Sequence, residues 1–502
     1  MHYTSTRSTG TPLSSKQALI SGIAPDGGLF IPDCLPQISQ SEIQSLTGLS
    51  YPQRAVRILQ PFLDDYSADD LAACAQAAYS PERFDHPAVA PLRSLDTATQ
   101  ILELWHGPTS AFKDMALQIL PHLLVRALRS QGEDKEVVIL VATSGDTGKA
   151  ALEGFRDVPG TRVIVFFPEQ GVSQVQRLQM LTQTGANLRV VAVREANFDD
   201  AQNAVKAVFS NRALNQTIEA RGFRFSSANS INWGRLVPQI AYYFSAYADL
   251  LSRGSLLPGG LVNIAVPTGN FGNILAAWYA RQMGLPVKTL VCASNENRIL
   301  TDFFRTGQYD TRRAFIKTTS PSMDILISSN LERLLYHLTG QDCARVGAWM
   351  NDLKSGGSYQ IDVQTLNALQ SIFWADSCAE AETRQTIRAC WQNHAYLADT
   401  HTAVALNVLE KYRQQTGDAA PTILASTASP FKFNQAVAEA VFGEQRTAGQ
   451  DEFTLLDLLS RECGLTIPEN LRGLQHKPIR HQTVCRPAEI EAIVTRILAG
   501  AE

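Results

Sequence analysis

Short apolar segments, each followed by a helical pattern, most limit what this chain can fold into. EVVILVAT (136–143) reads as a fully apolar strand, and TRVIVFF (161–167) and LRVVAV (188–193) as two more. Helical patterns lie between them, at about 147–156, 173–184 and 198–210. Apolar strands alternating with helices imply parallel sheets covered on both faces. Upstream, ILELW (101–105) is a strand that leads into a long helical pattern. A second series starts near 261, with LVNIAV (261–266), a helix through ILAAWYARQM, VKTLVC (287–292) and later TILAS (422–426). The loop LPGG (257–260) separates the two series. The expectation is an α/β protein with two lobes of mostly parallel sheets flanked by helices, plus an N-terminal domain. Its parts are 1–98, a lobe at 99–258, a lobe at 259–450 and a C-terminal segment at 451–502.

At 502 residues the chain can bury a large core. Its net charge of −4 and lack of a basic run argue against a nucleic-acid or membrane surface. The N-terminus, MHYTSTRSTG, has no apolar segment behind it, so no signal peptide is expected. No apolar stretch reaches the length of a membrane span. The eight cysteines include no C-x-x-C, which argues for reduced thiols in a cytoplasmic enzyme. With few histidines and no H-E-x-x-H, no metal site is expected.

Chemistry concentrates in WHGPTSAFKD (105–114). Lys113 follows a Gly-Pro turn and opens a pattern in which Ala116, Ile119, Leu120, Leu123, Leu124, Ala127 and Leu128 share one helix face. Pro121 should kink that helix. An ammonium beside buried apolar surface and a helix N-terminus is disfavoured, so its pKa should fall. A neutral amine is what Schiff-base chemistry with an aldehyde needs. On this stretch alone an ordinary helix-start lysine is the stronger reading; the rest of the chain reverses it.

Thr143-Ser-Gly-Asp-Thr-Gly148 follows the strand ending near Val141. Strand ends in open parallel sheets face the ligand crevice. Small hydroxyl residues at a helix start offer donors to an anion such as a carboxylate, although the same turn serves equally as a helix cap. Lys149 does not make this a nucleotide loop, because Thr143 stands where the first glycine should be and Ala150 follows the lysine. Asn229-Ser-Ile-Asn-Trp-Gly-Arg235 precedes an amphipathic helix using Leu236, Ile240, Tyr243, Phe244 and Tyr247. Asn and Ser there are capping residues first; Arg235, near the positive end of the dipole, makes sense if it binds an anion such as phosphate. Pro267-Thr-Gly-Asn-Phe-Gly-Asn273 follows a strand, and Gly269 and Gly272 let amides converge on a phosphate at the next helix start. Ala425-Ser-Thr-Ala-Ser-Pro430 ends the strand TILAS; a hydroxyl there would face a ring nitrogen, or simply close a turn.

Together these segments resemble the threonine synthase family, pyridoxal-phosphate enzymes of the tryptophan synthase β (fold type II) class. YTSTR (3–7), APDGGLFIP (24–32), HGPTSAFKD (106–114), ATSGDTG (142–148), SSANSINWGR (226–235), VPTGNFGN (266–273), SNENRIL (294–300), SPSMDI (320–325), DTHTAV (399–404) and ASTASPFKF (425–433) carry the resemblance. It implies that Lys113 is joined to the aldehyde of pyridoxal 5'-phosphate. Gly269, Asn270, Phe271, Gly272 and Asn273 would hold the cofactor phosphate. Thr427 would contact the pyridine nitrogen, and Asp146 would lie near the ring hydroxyl. Thr143, Ser144 and Thr147 would hold the substrate carboxylate, and Asn229, Ser230 and Arg235 the substrate phosphate. Three positions depart from the family pattern: Ser8 where glycine often follows STR, Ser429 in TASP where TAHP is usual, and Arg298 in NENR.

The implied reaction is that of a carbon–oxygen lyase, O-phospho-L-homoserine and water to L-threonine and phosphate. The leaving phosphate sits on the γ-carbon, so one deprotonation cannot expel it. Protons must be moved at more than one carbon before water adds at the β-carbon, and Lys113 is the natural shuttle base. A hydroxyl at Thr427, instead of a carboxylate, would leave the ring nitrogen largely unprotonated. The same fold also admits a phospholyase or serine/threonine dehydratase, or a silent ligand-binding relative. The implied assembly is a monomer or homodimer.

Overall fold

The computed structural model describes residues 1–132, 134–143, 145–170, 172–196 and 198–500. Two sheets carry the fold. The first is wholly parallel and runs, in spatial order, Thr483–Cys485, Leu188–Val193, Thr161–Pro168, Glu136–Ala142 and Phe223–Ser226. The second runs Phe373–Ser377, Val287–Ser294, Val262–Pro267, Thr422–Ser426, Thr99–Glu103 and Leu92–Ser94. Only its last pair is antiparallel. The expected α/β architecture with mostly parallel sheets is therefore present.

One strand lies elsewhere than expected. Thr99–Glu103, read as part of the first lobe, pairs in parallel with Thr422–Ser426 and belongs to the six-stranded sheet. Apolar runs state that a strand is buried on both faces, not which strands flank it. The consequence is functional. Lys113 follows a strand of the six-stranded sheet, whereas the helix Asp146–Phe155 follows Glu136–Ala142 of the five-stranded sheet. The two loops meet between the sheets.

Three local differences also have plain causes. The lysine helix breaks instead of kinking, giving Asp114–Leu117 and then Leu120–Ser130 with Pro121 in the first turn, where a missing N–H costs nothing. The helix Trp233–Ser252 is buried almost all round, not amphipathic; Trp233, Tyr242, Tyr243 and Tyr247 are fully enclosed. Near the C-terminus, Thr483–Cys485 extends the five-stranded sheet, and Ile490–Leu498 packs with Val191, Val193 and Val205 against it.

The N-terminal portion contributes a two-stranded ribbon, Tyr3–Ser5 with Phe30–Pro32, and helices Ser15–Ser21, Gln40–Ser45, Tyr51–Leu59 and Ala68–Ala78. Arg333 joins this portion to the rest. It is fully buried, and its guanidinium donates to Phe30 O at 2.9 Å, to Ile231 O at 2.6 Å and to the side-chain oxygen of Asn330. Arg7 makes a second link, donating to both carboxylate oxygens of Glu332 at 2.8 and 2.7 Å. Replacing Arg333 strands the buried carbonyl of Phe30 and the part-buried one of Ile231. Arg333→Leu should lower resistance to denaturant by about 3 kcal/mol, measured from the midpoint of the unfolding curve; an unchanged midpoint would show that the Arg333 bonds do not hold the N-terminal portion in place.

Candidate active site

The loop before Lys113 is closed by its own side chains. Thr109 donates its N–H and its hydroxyl to the two oxygens of Asp114, each at 2.8 Å. Asp114 is buried, and burial pushes its carboxyl up to about 6 despite those bonds. Phe112 N–H donates to Thr427 O at 2.8 Å, and Ser429 N–H to Ser110 O at 3.1 Å. These two bonds lock the TASP turn onto the lysine loop. At the head of the loop, His106 lies 2.6 Å from Asp85 and 3.0 Å from Glu103.

Lys113 is the N-cap residue immediately before the helix Asp114–Leu117, with its side chain only 11% exposed. The Nζ lies 3.4 Å from Asp146 Oδ2 and 3.3 Å from Ser322 Oγ. Burial holds its pKa below the ordinary value. Asp146 opposes that depression, while Lys432 and Arg235 add to it. Asp146 is the hub of the cluster: Lys432 Nζ lies 2.9 Å from its Oδ1, Gln176 Nε2 donates to Oδ1 at 2.8 Å, and Ser322 donates to Oδ2 at 3.2 Å. Burial alone would raise its pKa, but Lys432 and Lys113 hold the carboxyl well below its usual range. Asp146 is thus ionised at any working pH. Gly145, with φ of 145°, makes room for Gln176, whose amide carbon lies 2.8 Å from where a Cβ would stand.

The other expected residues fall around this cluster in different ways. Thr143 Oγ1 accepts from Gly145 and Gly148 N–H at 2.9 and 3.1 Å, so it closes the turn and keeps only its hydroxyl hydrogen for another partner. Thr147 is half-buried in the first helical turn. Ser144 lies outside the described residues. Phe271, in the left-handed region at φ 64°, starts the helix Gly272–Gln282, and no side chain caps it. The Asn273 side-chain oxygen accepts from Tyr242 at 2.7 Å and from Tyr243, while its Nδ2 has no hydrogen-bond partner among the described residues. Asn270 O accepts from both the backbone and the side chain of Asn330, at 3.1 and 3.0 Å. The same Asn330 side chain donates to Ser230 O at 3.2 Å, tying the two glycine- and serine-bearing loops together. Asn229 is half-buried beside them. Arg235 is buried; it donates to Ala228 O, and its Nε has no hydrogen-bond partner among the described residues. Burial lowers its pKa to about 10, so it remains a cation. Thr427 and Ser429 are buried, and Ser429 Oγ has no hydrogen-bond partner among the described residues.

Four contributors were not singled out from sequence. Lys432, fully buried, also donates to Thr109 O at 2.9 Å. Gln176, Ser322 and His401 complete the surroundings. The signal for Lys432 was available, since ASPFKF places a lysine in a short apolar turn just as AFKD does.

Comparison with known proteins gives a consistent family. The family described as Threonine synthase N terminus matches residues 2–79, Pyridoxal-phosphate dependent enzyme matches 91–349, and Threonine synthase, C-terminal matches 402–497. A Threonine synthase of Pseudomonas aeruginosa is 38% identical over 97% of this chain and 100% of its own. Threonine synthase-like 1 of Macaca fascicularis is 42% identical over 85% of this chain; the chain spans 58% of that relative's length. A crystal structure of PLP-bound threonine synthase from Brucella melitensis superposes with a TM-score of 0.87 at 37% identity, covering 98% of both chains.

The His106 contacts set a pH dependence. Burial would depress the imidazolium, but its bonds to Asp85 and Glu103 raise the pKa from 6.5 to about 9. A raised folded-state pKa stabilises fully below the unfolded value and is lost as pH rises through the folded one. Asp85 is largely exposed, which weakens its share. Denaturant unfolding should therefore show the parent more stable than His106→Gln by about 1–2 kcal/mol at pH 6. The gap should close above about pH 9; a gap independent of pH would mean that packing, not charge, holds the loop head.

Proposed function

The chain belongs to the threonine synthase family of pyridoxal-phosphate-dependent enzymes, and on that premise we propose that it converts O-phospho-L-homoserine and water to L-threonine and phosphate. The residues present suit the cofactor. Lys113 offers a buried amine whose pKa is depressed, and the helix starting at Gly272 leaves its first N–H groups uncapped for a phosphate. Bound there, pyridoxal phosphate would supply the electron sink for a carbanion beside the amino-acid nitrogen.

The chain's own groups would do the rest. Lys113 moves protons among the carbons next to it, which a γ-leaving group demands more than once. Asp146, permanently ionised, holds the ammonium form after each transfer. Arg235 binds the departing phosphate. The TASP turn is bonded to the lysine loop, so Thr427 would be the residue to offer a hydroxyl to the ring nitrogen of the bound cofactor. Thr143 and Thr147, at the start of the helix Asp146–Phe155, receive the substrate carboxylate, as does Ser144. The observation that carries the choice of substrate is the second anion site: a buried guanidinium with an unpartnered Nε, felt electrostatically by Lys113, in a chain that already has an uncapped helix for the cofactor phosphate. The cysteines other than Cys485 are free thiols, which supports a cytoplasmic enzyme; a monomer or homodimer is proposed with it.

Two measurements test this. Borohydride reduction of the cofactor-loaded protein, followed by digestion, should leave the pyridoxyl tag on Lys113; Lys113→Ala should carry no tag and no activity, and a tag elsewhere would end the assignment. Arg235→Ala should raise KM for O-phospho-L-homoserine by about tenfold or more while cofactor content is kept. Loss of cofactor instead would mean that Arg235 serves the cofactor phosphate. Accumulation of 2-oxobutyrate in place of threonine would identify a dehydratase or phospholyase.

A further inference from the structure

Two quoted motifs, SPSMDI and DTHTAV, remain without a role, and they meet beside the lysine. Ser322 is the only hydroxyl residue among the described residues whose side chain bonds to the Lys113 amine, at 3.3 Å. It passes its own hydrogen to Asp146 Oδ2 at 3.2 Å. Its position is fixed from two sides. Its backbone N–H donates to His401 Nε2 at 3.2 Å. Its carbonyl packs so tightly on Gly269 that a Cβ there would stand 2.6 Å away.

His401 is itself held. It is buried in the first turn of the helix Thr400–Thr416, and its Nδ1 lies 2.9 Å from Asp399 Oδ1. Nε2 accepts an N–H, so the ring proton must sit on Nδ1, where Asp399 receives it. Asp399 caps the same helix by accepting from His401 N–H at 2.8 Å and Thr402 N–H at 3.3 Å. The carboxylate therefore fixes the imidazole, the imidazole fixes the Ser322 backbone, and the Ser322 hydroxyl bridges the amine and Asp146.

We propose that Ser322 is a positioning residue for Lys113, holding the ammonium form of its amine against Asp146, and that the buried Asp399–His401 pair is the support that sets Ser322 in place. The proposal rests on Lys113 being the reactive amine. The charged groups facing that amine are Asp146, Lys432 and Arg235, and none of them is altered by changing Ser322.

The test reads the amine directly, in full-length protein freed of cofactor. Lys113 is acylated with a limiting amine-reactive reagent across about pH 6 to 10, and its peptide is quantified by mass spectrometry. Ser322→Ala removes an acceptor that favours the ammonium form, so the labelling midpoint should move to lower pH. Labelling at pH 7 should rise roughly three- to tenfold. Ser322→Thr keeps the hydroxyl and should return the parental profile. His401→Ala should shift the midpoint in the same direction as Ser322→Ala, and His401→Gln, whose amide oxygen can accept the Ser322 N–H, should restore it in part. In the loaded enzyme, Ser322→Ala should lower kcat with little change in KM. A parental labelling profile in Ser322→Ala, or equal disturbance by Ala and Thr, overturns the proposal. Preferential labelling of Lys113 in the unsubstituted protein reports separately on the lysine assignment, so the two failures are distinguishable.

Discussion

Two lysines and one carboxylate share the interior between the sheets, and the site depends on that unequal sharing. Lys113 and Lys432 both reach Asp146, at 3.4 and 2.9 Å. Arg235 adds a third buried cation that Lys113 feels. Asp114, the other buried carboxylate nearby, has its oxygens bonded to Thr109 instead. Buried charges without partners are costly, so a surplus of cations in a closed site is tolerable when the ligand brings the anions. Pyridoxal phosphate would supply one, and under the proposed function a phosphorylated substrate the other. The same surplus presses Lys113 toward its neutral form, so the electrostatics that favour anion binding also prepare the amine.

Topology explains why these groups can meet at all. Lys113 is carried on a loop from the six-stranded sheet, Asp146 on the first turn of a helix from the five-stranded sheet, and Lys432 on the turn after Thr422–Ser426. Parallel strands place such loops at one end of their sheet, and here the two sets of loops face each other. The helix Trp233–Ser252 runs through the core with Arg235 in its first turn and brings a buried cation from a third direction. Arg333, bonded to Phe30, Ile231 and Asn330 at once, couples the N-terminal portion to the loops at 229–232 and 269–273.

Much of this was legible in the amino-acid order. The apolar strands announced parallel sheets because burial on both faces removes the polar alternation. The burial of most of the Lys113 side chain was legible because the helix face that follows it demanded burial. What escaped was whatever depends on neighbours far along the chain. Strand 99–103 could not declare its pairing with 422–426, since both runs are equally apolar. The helix Trp233–Ser252 looked one-sided, yet the N-terminal portion covers its other face, where a Cβ on Gly234 would strike Leu19. Pro121 had two outcomes, kink or restart, and the preceding residues decided for a restart. Lys432 and Ser322 resemble ordinary turn residues until the fold brings them to an amine that lies 319 and 209 positions away, differences of 432 − 113 and 322 − 113.

The contact between Gly269 and Ser322 shows why motifs so far apart form one unit. With no side chain at 269, the loop leading to the uncapped helix lies directly on the Ser322 carbonyl. Ser328 Oγ donates to Gly269 O at 2.7 Å, and Asn330 holds Asn270, so the segment 322–330 grips that loop along its length. A shift of the loop 269–273 would therefore move Ser322, and with it a neighbour of both Lys113 and Asp146. The position of this loop and the setting of the amine are mechanically linked in this architecture. The rigidity follows from backbone-to-backbone contact, which leaves no flexible side chain to absorb a displacement.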